Sequence, residues 1–186
     1  MVRRGRLHLA DEQSFFVTTT VVNFTKMFIN DIYCDILIRN IKHYQKKYKF
    51  TIISYMIMPS HFRWIVHVNP KLGTISDIMR DIKKYSAWDI MDTIEKYDPK
   101  LIRTFVLDAN RYPNHKRKFW MNRFDDEVIR NEKMFWTKLQ YIHKNPVEAW
   151  LVKRAVDVRC SSARNYYFGD HSLIEIDTSL AGTEIK

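Results

Sequence analysis

From Tyr48 to Val68 the chain carries two runs of β-forming residues separated by Pro59–Ser60, and the second run alternates without a break. Phe62, Trp64, Val66 and Val68 fall on one side, His61, Arg63, Ile65 and His67 on the other. This period commits the segment to a strand with one face on an apolar core. A one-residue slip would turn the whole apolar set to solvent. The neighbouring segments must therefore supply that core.

Ser14 to Asn23, SFFVTTTVVN, is rich in aromatic and β-branched residues and reads as an earlier strand. Asn30 or Asp31 caps a helix running to about Lys47, with Ile32, Ile36, Leu37, Ile41 and Tyr44 as its apolar face. Thr74 caps a long helix through about Tyr97, with Ile75, Ile78, Met79, Ile82 and Tyr85 as its buried stripe. A short strand is expected near Arg103 to Leu107, followed by a basic loop. Asp125 starts a third helix with Val128, Phe135, Leu139 and Ile142 on its apolar face, and Pro146 ends it. The order strand, helix, strand, strand, helix, strand, helix predicts an α+β, ferredoxin-like (RRM-like) fold: an antiparallel sheet with helices packed on one face. The other face is then open to a ligand.

The 186 residues suit one domain, and 46% apolar content with only 4 Gly and 5 Pro argues against disorder. The longest apolar stretch, Ile52 to Met58, is too short to span a bilayer, so no membrane partner is expected. Residues 1–20 lack the apolar core of a signal peptide. Cys34 and Cys160 lie far apart in sequence, form no metal-like pair and read as free thiols of a reducing cytosol. The expected location is cytoplasmic, at the nucleoid. Net charge is +10, yet residues 169–186 balance at −3, which leaves +13 on the body. A basic body suits a polyanion. The division is a domain over 1–168, opened by a basic arm at 1–13, and a tail over 169–186.

Three features carry chemistry. His61 stands on the alternating strand. Tyr141 and Asn145 lie four residues apart and so on one helix face. The run His115, Lys116, Arg117, Lys118, Phe119, Trp120 and Arg123 interleaves cations with rings, the composition of a single-stranded nucleic-acid surface. The bland alternative for that run is a solvated loop with Trp120 anchored in the core.

These stretches together resemble a known family. YMIMPSHFRWIV (55–66) is similar to the strand–turn–strand of single-tyrosine transposases, and LQYIHKNPVEAWLV (139–152) to the tyrosine helix of their REP-associated branch. RRGRL, FFVTTT, IMRDIKKYSA, FWMNRFDDEVIRNEKMFWTKL and SSARNYY follow the same family order, so the resemblance spans roughly residues 3–168. It implies a protein that binds single-stranded DNA hairpins and cleaves and rejoins them through a 5′-phosphotyrosine. Such an intermediate conserves the phosphodiester's energy and needs no nucleotide cofactor. A phenol is a weak nucleophile at neutral pH, and in the family a divalent metal, Mg2+ or Mn2+, assists it. Carried over, Tyr141 is the nucleophile, with His61 and Asn145 as metal ligands.

The family's His-hydrophobe-His appears here as His61–Phe62–Arg63. A guanidinium has no lone pair for a cation and repels it. His67 shares the strand face but lies six residues on, roughly 20 Å at about 3.3 Å per residue. Three readings stand: Arg63 clamps the scissile phosphate in the metal's place, the metal site is weakened, or cleavage is lost and hairpin binding kept. The expected DNA contacts are Arg3, Arg4, Arg6, Lys83, Lys84, Lys116, Arg117, Lys118, Trp120, Arg123 and Arg164, in a monomer or a homodimer. An RNA-binding protein of similar fold is the third class, but it leaves the YIH-x-NPV block unexplained.

Overall fold

In the computed structural model, which describes residues 13–106 and 117–179, strand β1 (Ser14–Thr20) leads through two 3-10 turns into helix α1 (Asp31–Tyr48). Asn30 caps that helix, its side chain accepting from the Ile32 N–H at 3.0 Å. Lys49, in the left-handed region at φ 53°, stops it. Strands β2 (Thr51–Met58) and β3 (His61–His67) form the hairpin across Pro59–Ser60. Helix α2 (Ile75–Tyr97) starts on a capping box: Thr74 Oγ1 accepts from the Asp77 N–H, and the Asp77 carboxylate accepts from the Thr74 N–H. Strand β4 (Asp125–Val128), helix α3 (Glu132–Glu148) and the short helix α4 (Ala163–Phe168) follow.

The sheet order is β2-β3-β1-β4, with every neighbouring pair antiparallel and β1 and β3 in the centre. This is the expected ferredoxin-like α+β architecture, with differences in detail. The strand expected near Arg103 to Leu107 is a 3-10 turn, Leu101–Phe105, as far as the described residues reach. The fourth strand is instead Asp125–Val128, which had been expected to start the third helix. Its DDEV sequence is acidic because it is an edge strand, where charge discourages pairing with other chains. Pro146 does not end α3 but sits in its last turn, buried.

The helices are not confined to one face. Phe15 and Val17 of β1, Ile52, Tyr55 and Ile57 of β2, and Phe62, Trp64 and Val66 of β3 pack with α1 and α2. The alternate residues Phe16, Ile53, Met56, Met58 and Ile65 form a second core with Phe135, Leu139 and Ile142 of α3. The face expected to be open thus carries the helix that bears Tyr141. Ile32 and Tyr85, expected in the core, are exposed at 55% and 37%.

Residues 169–179 lie against the body. Ile174 and Ile176 are buried in the larger core, and the Asp177 N–H donates to the Ile52 carbonyl at 2.8 Å. Cys34 and Cys160, far apart in sequence, are brought together: their sulfurs and an Asp31 carboxylate oxygen lie within 4.8 Å of one another. Among the described residues no helix is long and apolar enough to cross a membrane.

Candidate functional site

β3 is an interior strand, so its pleat fixes where its side chains point. His61 lies opposite Thr20 and Met58, and Arg63 opposite Thr18 and Met56. Phe62 faces the α1–α2 core, which turns His61 and Arg63 toward α3 together with Ile65. Asn131 caps α3 by accepting from the Met134 N–H at 2.9 Å. Phe135, Leu139 and Ile142 then seat the helix on the sheet, and Tyr141 emerges at the margin of that contact, 38% exposed.

Arg63 and Tyr141 meet. The Arg63 guanidinium carbon lies 4.8 Å from the centre of the Tyr141 ring, and Phe16 meets the same ring edge-on at 6.1 Å. Three buried nitrogens on this side of the sheet have no hydrogen-bond partner: Arg63 Nε, Arg63 Nη1 and His61 Nε2. His61 Nδ1 faces Ser60 Oγ at 3.4 Å. Burial, with the Arg63 charge second, pushes the His61 imidazole down to about 4, so it is neutral at pH 7. Burial also lowers Arg63, opposed by Tyr141, but a guanidinium remains a cation. Asn145 is half-buried one turn beyond Tyr141 on the same helix face.

A divalent metal finds a poor seat here. Of the expected ligands His61 lies beside Arg63, whose fixed positive charge opposes a cation there, and Asn145 could add at most one more. The only cluster of three His, Cys, Asp or Glu ligands among the described residues is Asp31, Cys34 and Cys160, elsewhere in the fold. Unpaired guanidinium N–H groups call instead for an anion, which they hold through short charge-assisted hydrogen bonds.

The expected DNA contacts divide. Arg3, Arg4, Arg6 and Lys116 lie outside the described residues. Trp120 is corrected: it is 5% exposed, packs on Phe28 and Phe119, and donates its indole N–H to Ser86 Oγ at 3.1 Å. Lys83 braces a loop, donating to the carbonyls of Met121 (2.8 Å) and Arg123 (3.2 Å). Arg117 is paired with Glu95, and Arg164 with Asp170 at 3.0 Å. Lys118 is half-buried, its N–H bonded to the Phe105 carbonyl. Lys84 and Arg123 are exposed, and the Lys84 ammonium sits 4.7 Å over the exposed Trp88 ring.

Two features escaped the sequence reading. His143 Nε2 lies 2.8 Å from Ser162 Oγ and 3.4 Å from Ser54 Oγ, tying α3 to β2, and burial pushes its imidazole down to about 4. Its polar neighbours come from distant segments, so no local signal marked it. Trp150 follows α3 at φ 57°, with its N–H on the Val147 carbonyl and the Leu151 N–H on that of Pro146. That is a Schellman cap with a tryptophan, 94% exposed, where glycine is favoured. A non-glycine residue with positive φ was the only possible flag, and sequence does not display φ.

The family model described as "Transposase IS200 like" matches residues 16–112. No curated protein matches. Among solved structures, that of a REP-associated tyrosine transposase bound to a REP hairpin superposes with a TM-score of 0.62 at 21% identity, covering 89% of this chain and 93% of that one. A protein assigned as a transposase from Deinococcus radiodurans R1 superposes at 0.47 and 13% identity, over 76% of this chain and 95% of that one.

Proposed function

This chain belongs to the IS200-like transposase family, and from that premise we propose that it binds single-stranded DNA hairpins and cuts and rejoins them through Tyr141, with Arg63 holding the scissile phosphate. The observation that carries the reading is the Arg63 guanidinium under the Tyr141 ring, with Nε and Nη1 unpaired. The family match ends at residue 112, so the assignment of Tyr141 rests on this contact and on the YIH-x-NPV block, not on the match. The hairpin is carried over from the solved transposase, which is bound to one.

In the proposed reaction the Tyr141 hydroxyl oxygen attacks phosphorus as its proton departs. The bond to the 3′ oxygen breaks, leaving a free 3′-hydroxyl and a 5′-phosphotyrosine, and attack by a 3′-hydroxyl reverses the step. Charge grows on the non-bridging oxygens, where the Arg63 donors stabilise it from a partly buried, preorganised position. His61, neutral at pH 7, is available to exchange a hydrogen bond with the same phosphate. Family members generally use a divalent metal, but the residues present do not fit one, and no step is assigned to it.

A second reading is favoured by the same Arg63: a hairpin-binding protein that no longer cuts. One assay separates the two. The native chain, Tyr141→Phe and Arg63→His are incubated with hairpins from repetitive palindromes, with Mg2+, with Mn2+ and with chelator. A denaturation-resistant DNA adduct formed in chelator and lost in Tyr141→Phe is the expected result. Binding without any adduct, with Arg63→His gaining metal-dependent cutting, would establish the second reading instead.

A further inference from the structure

α1 presents Asp31, Cys34 and Asp35 on one side of its first turns, and residues 159–162 run past them toward β2. Arg159 closes the assembly from outside. It pairs with Asp31 at 3.3 Å and Asp35 at 2.5 Å, and its Nη1 lies 3.8 Å from Cys160 Sγ. Beneath it Cys34 and Cys160 are 2% and 4% exposed. Their sulfurs are no more than 4.8 Å apart, and Cys34 Sγ also faces the Phe28 carbonyl at 3.3 Å. We infer that Cys34 and Cys160 are an oxidation site, in which a peroxide small enough to pass Arg159 converts the two thiols into an intramolecular disulfide.

The two thiols are unequal. Hydrogen bonding between the sulfurs holds Cys160 below the usual thiol range, helped by Arg159, and raises Cys34. Arg159 Nη1 lies beside Cys160 Sγ, whereas Cys34 Sγ donates to the Phe28 carbonyl. Cys160 is therefore the sulfur placed to attack peroxide as a thiolate, forming a sulfenic acid and releasing one water. The Cys34 sulfur then displaces that oxygen as a second water and loses its proton. Two thiols give up two electrons and two protons, and one peroxide becomes two waters. A bond of about 2 Å requires the sulfurs to close by at most about 3 Å. Cys34 is fixed in a helix, whereas Cys160 lies in an irregular turn, so the movement falls to residue 160. The guanidinium already occupies the place a cation would take among Asp31, Asp35 and the sulfurs, which disfavours a metal there.

The product would link α1 covalently to the segment whose Ser162 holds His143 of the tyrosine helix. The test treats the reduced full-length chain with hydrogen peroxide, alkylates it in denaturant and maps the peptides by mass. A Cys34–Cys160 cross-linked peptide and the loss of both alkylatable thiols are expected. Oxidised glutathione, too bulky for the covered site, should leave both thiols free over the same time. In Cys34→Ser the sulfenic acid on Cys160 should be trapped by a dimedone-type reagent, while Cys160→Ser leaves Cys34 reduced. Thiols that stay alkylatable after peroxide, cross-links between different chains, or protection of both thiols by Zn2+ without a disulfide would each overturn the inference. If a variant fails to fold, the wild-type peptide map decides alone.

Discussion

Acid should loosen this protein well above the range in which its carboxylates titrate, because burial lowers three histidines, His143 and His61 most and His67 in the same direction. His143 and His61 are both pushed from an ordinary 6.5 to about 4. The folded state therefore refuses protons that the unfolded chain accepts. The stability this represents is complete above pH 6.5 and is lost as pH falls through the window down to about 4. At pH 5 a shift of that size corresponds to about 2 kcal/mol for His143. His61 is more open to solvent, and screening reduces its share to about 1 kcal/mol. A loss of about 3 kcal/mol is a large part of the 5–15 kcal/mol typical of a domain. Urea unfolding followed by tryptophan fluorescence at pH 7, 6 and 5 measures it, since the midpoint should fall steadily while the slope holds. His143→Gln, whose amide can still bond Ser162, should remove more than half of the pH dependence. Asp170, held down at about 2 by Ser172 and Arg164, adds its own loss only at lower pH. A midpoint unchanged between pH 7 and 5, or an identical pH dependence in His143→Gln, would refute the argument.

Trp120→Ala should destabilise the fold by about 3–5 kcal/mol in thermal or urea unfolding, as expected of a core side chain and not of a DNA contact. Trp150→Gly should stabilise it by about 1 kcal/mol, because the left-handed position then carries no side-chain penalty. Asn131→Ala should cost about 1 kcal/mol through loss of the α3 cap. In salt titrations of hairpin binding, Lys84→Ala or Arg123→Ala should each reduce the slope by about one, while Arg117→Ala, already neutralised by Glu95, should leave it nearly unchanged.

Where one face of an element is buried, the sequence displayed it. The alternation from His61 to Val68 gave β3 its length and its two faces, and Thr74 gave the start of α2 to the residue. Asp125–Val128 was misread because acids before an apolar helix look like an N-terminus. The strand exists only through pairing with β1, a contact made more than a hundred residues away. Pro146 misled for the opposite reason: a last-turn proline is tolerated when packing on the sheet holds the helix. His61, Arg63, Tyr141 and Asn145 could be named in advance, but not the stacking of Arg63 on the Tyr141 ring. Sequence could offer the inward Trp120 only as an alternative to a DNA contact, and could not show that Cys34 meets Cys160, since both are products of tertiary packing.

The packing of residues 174–177 has a consequence for synthesis. β1 needs β3 and β4 for neighbours, and the Ile52 carbonyl of β2 is met by Asp177. A chain leaving the ribosome therefore has its hairpin and first two helices long before the pieces that seal both cores. Until Ile174 and Ile176 emerge, part of the larger core stays open to other chains. Long-range closure of this kind slows folding, and the arrival of this later segment becomes the step on which a newborn molecule either completes its core or aggregates.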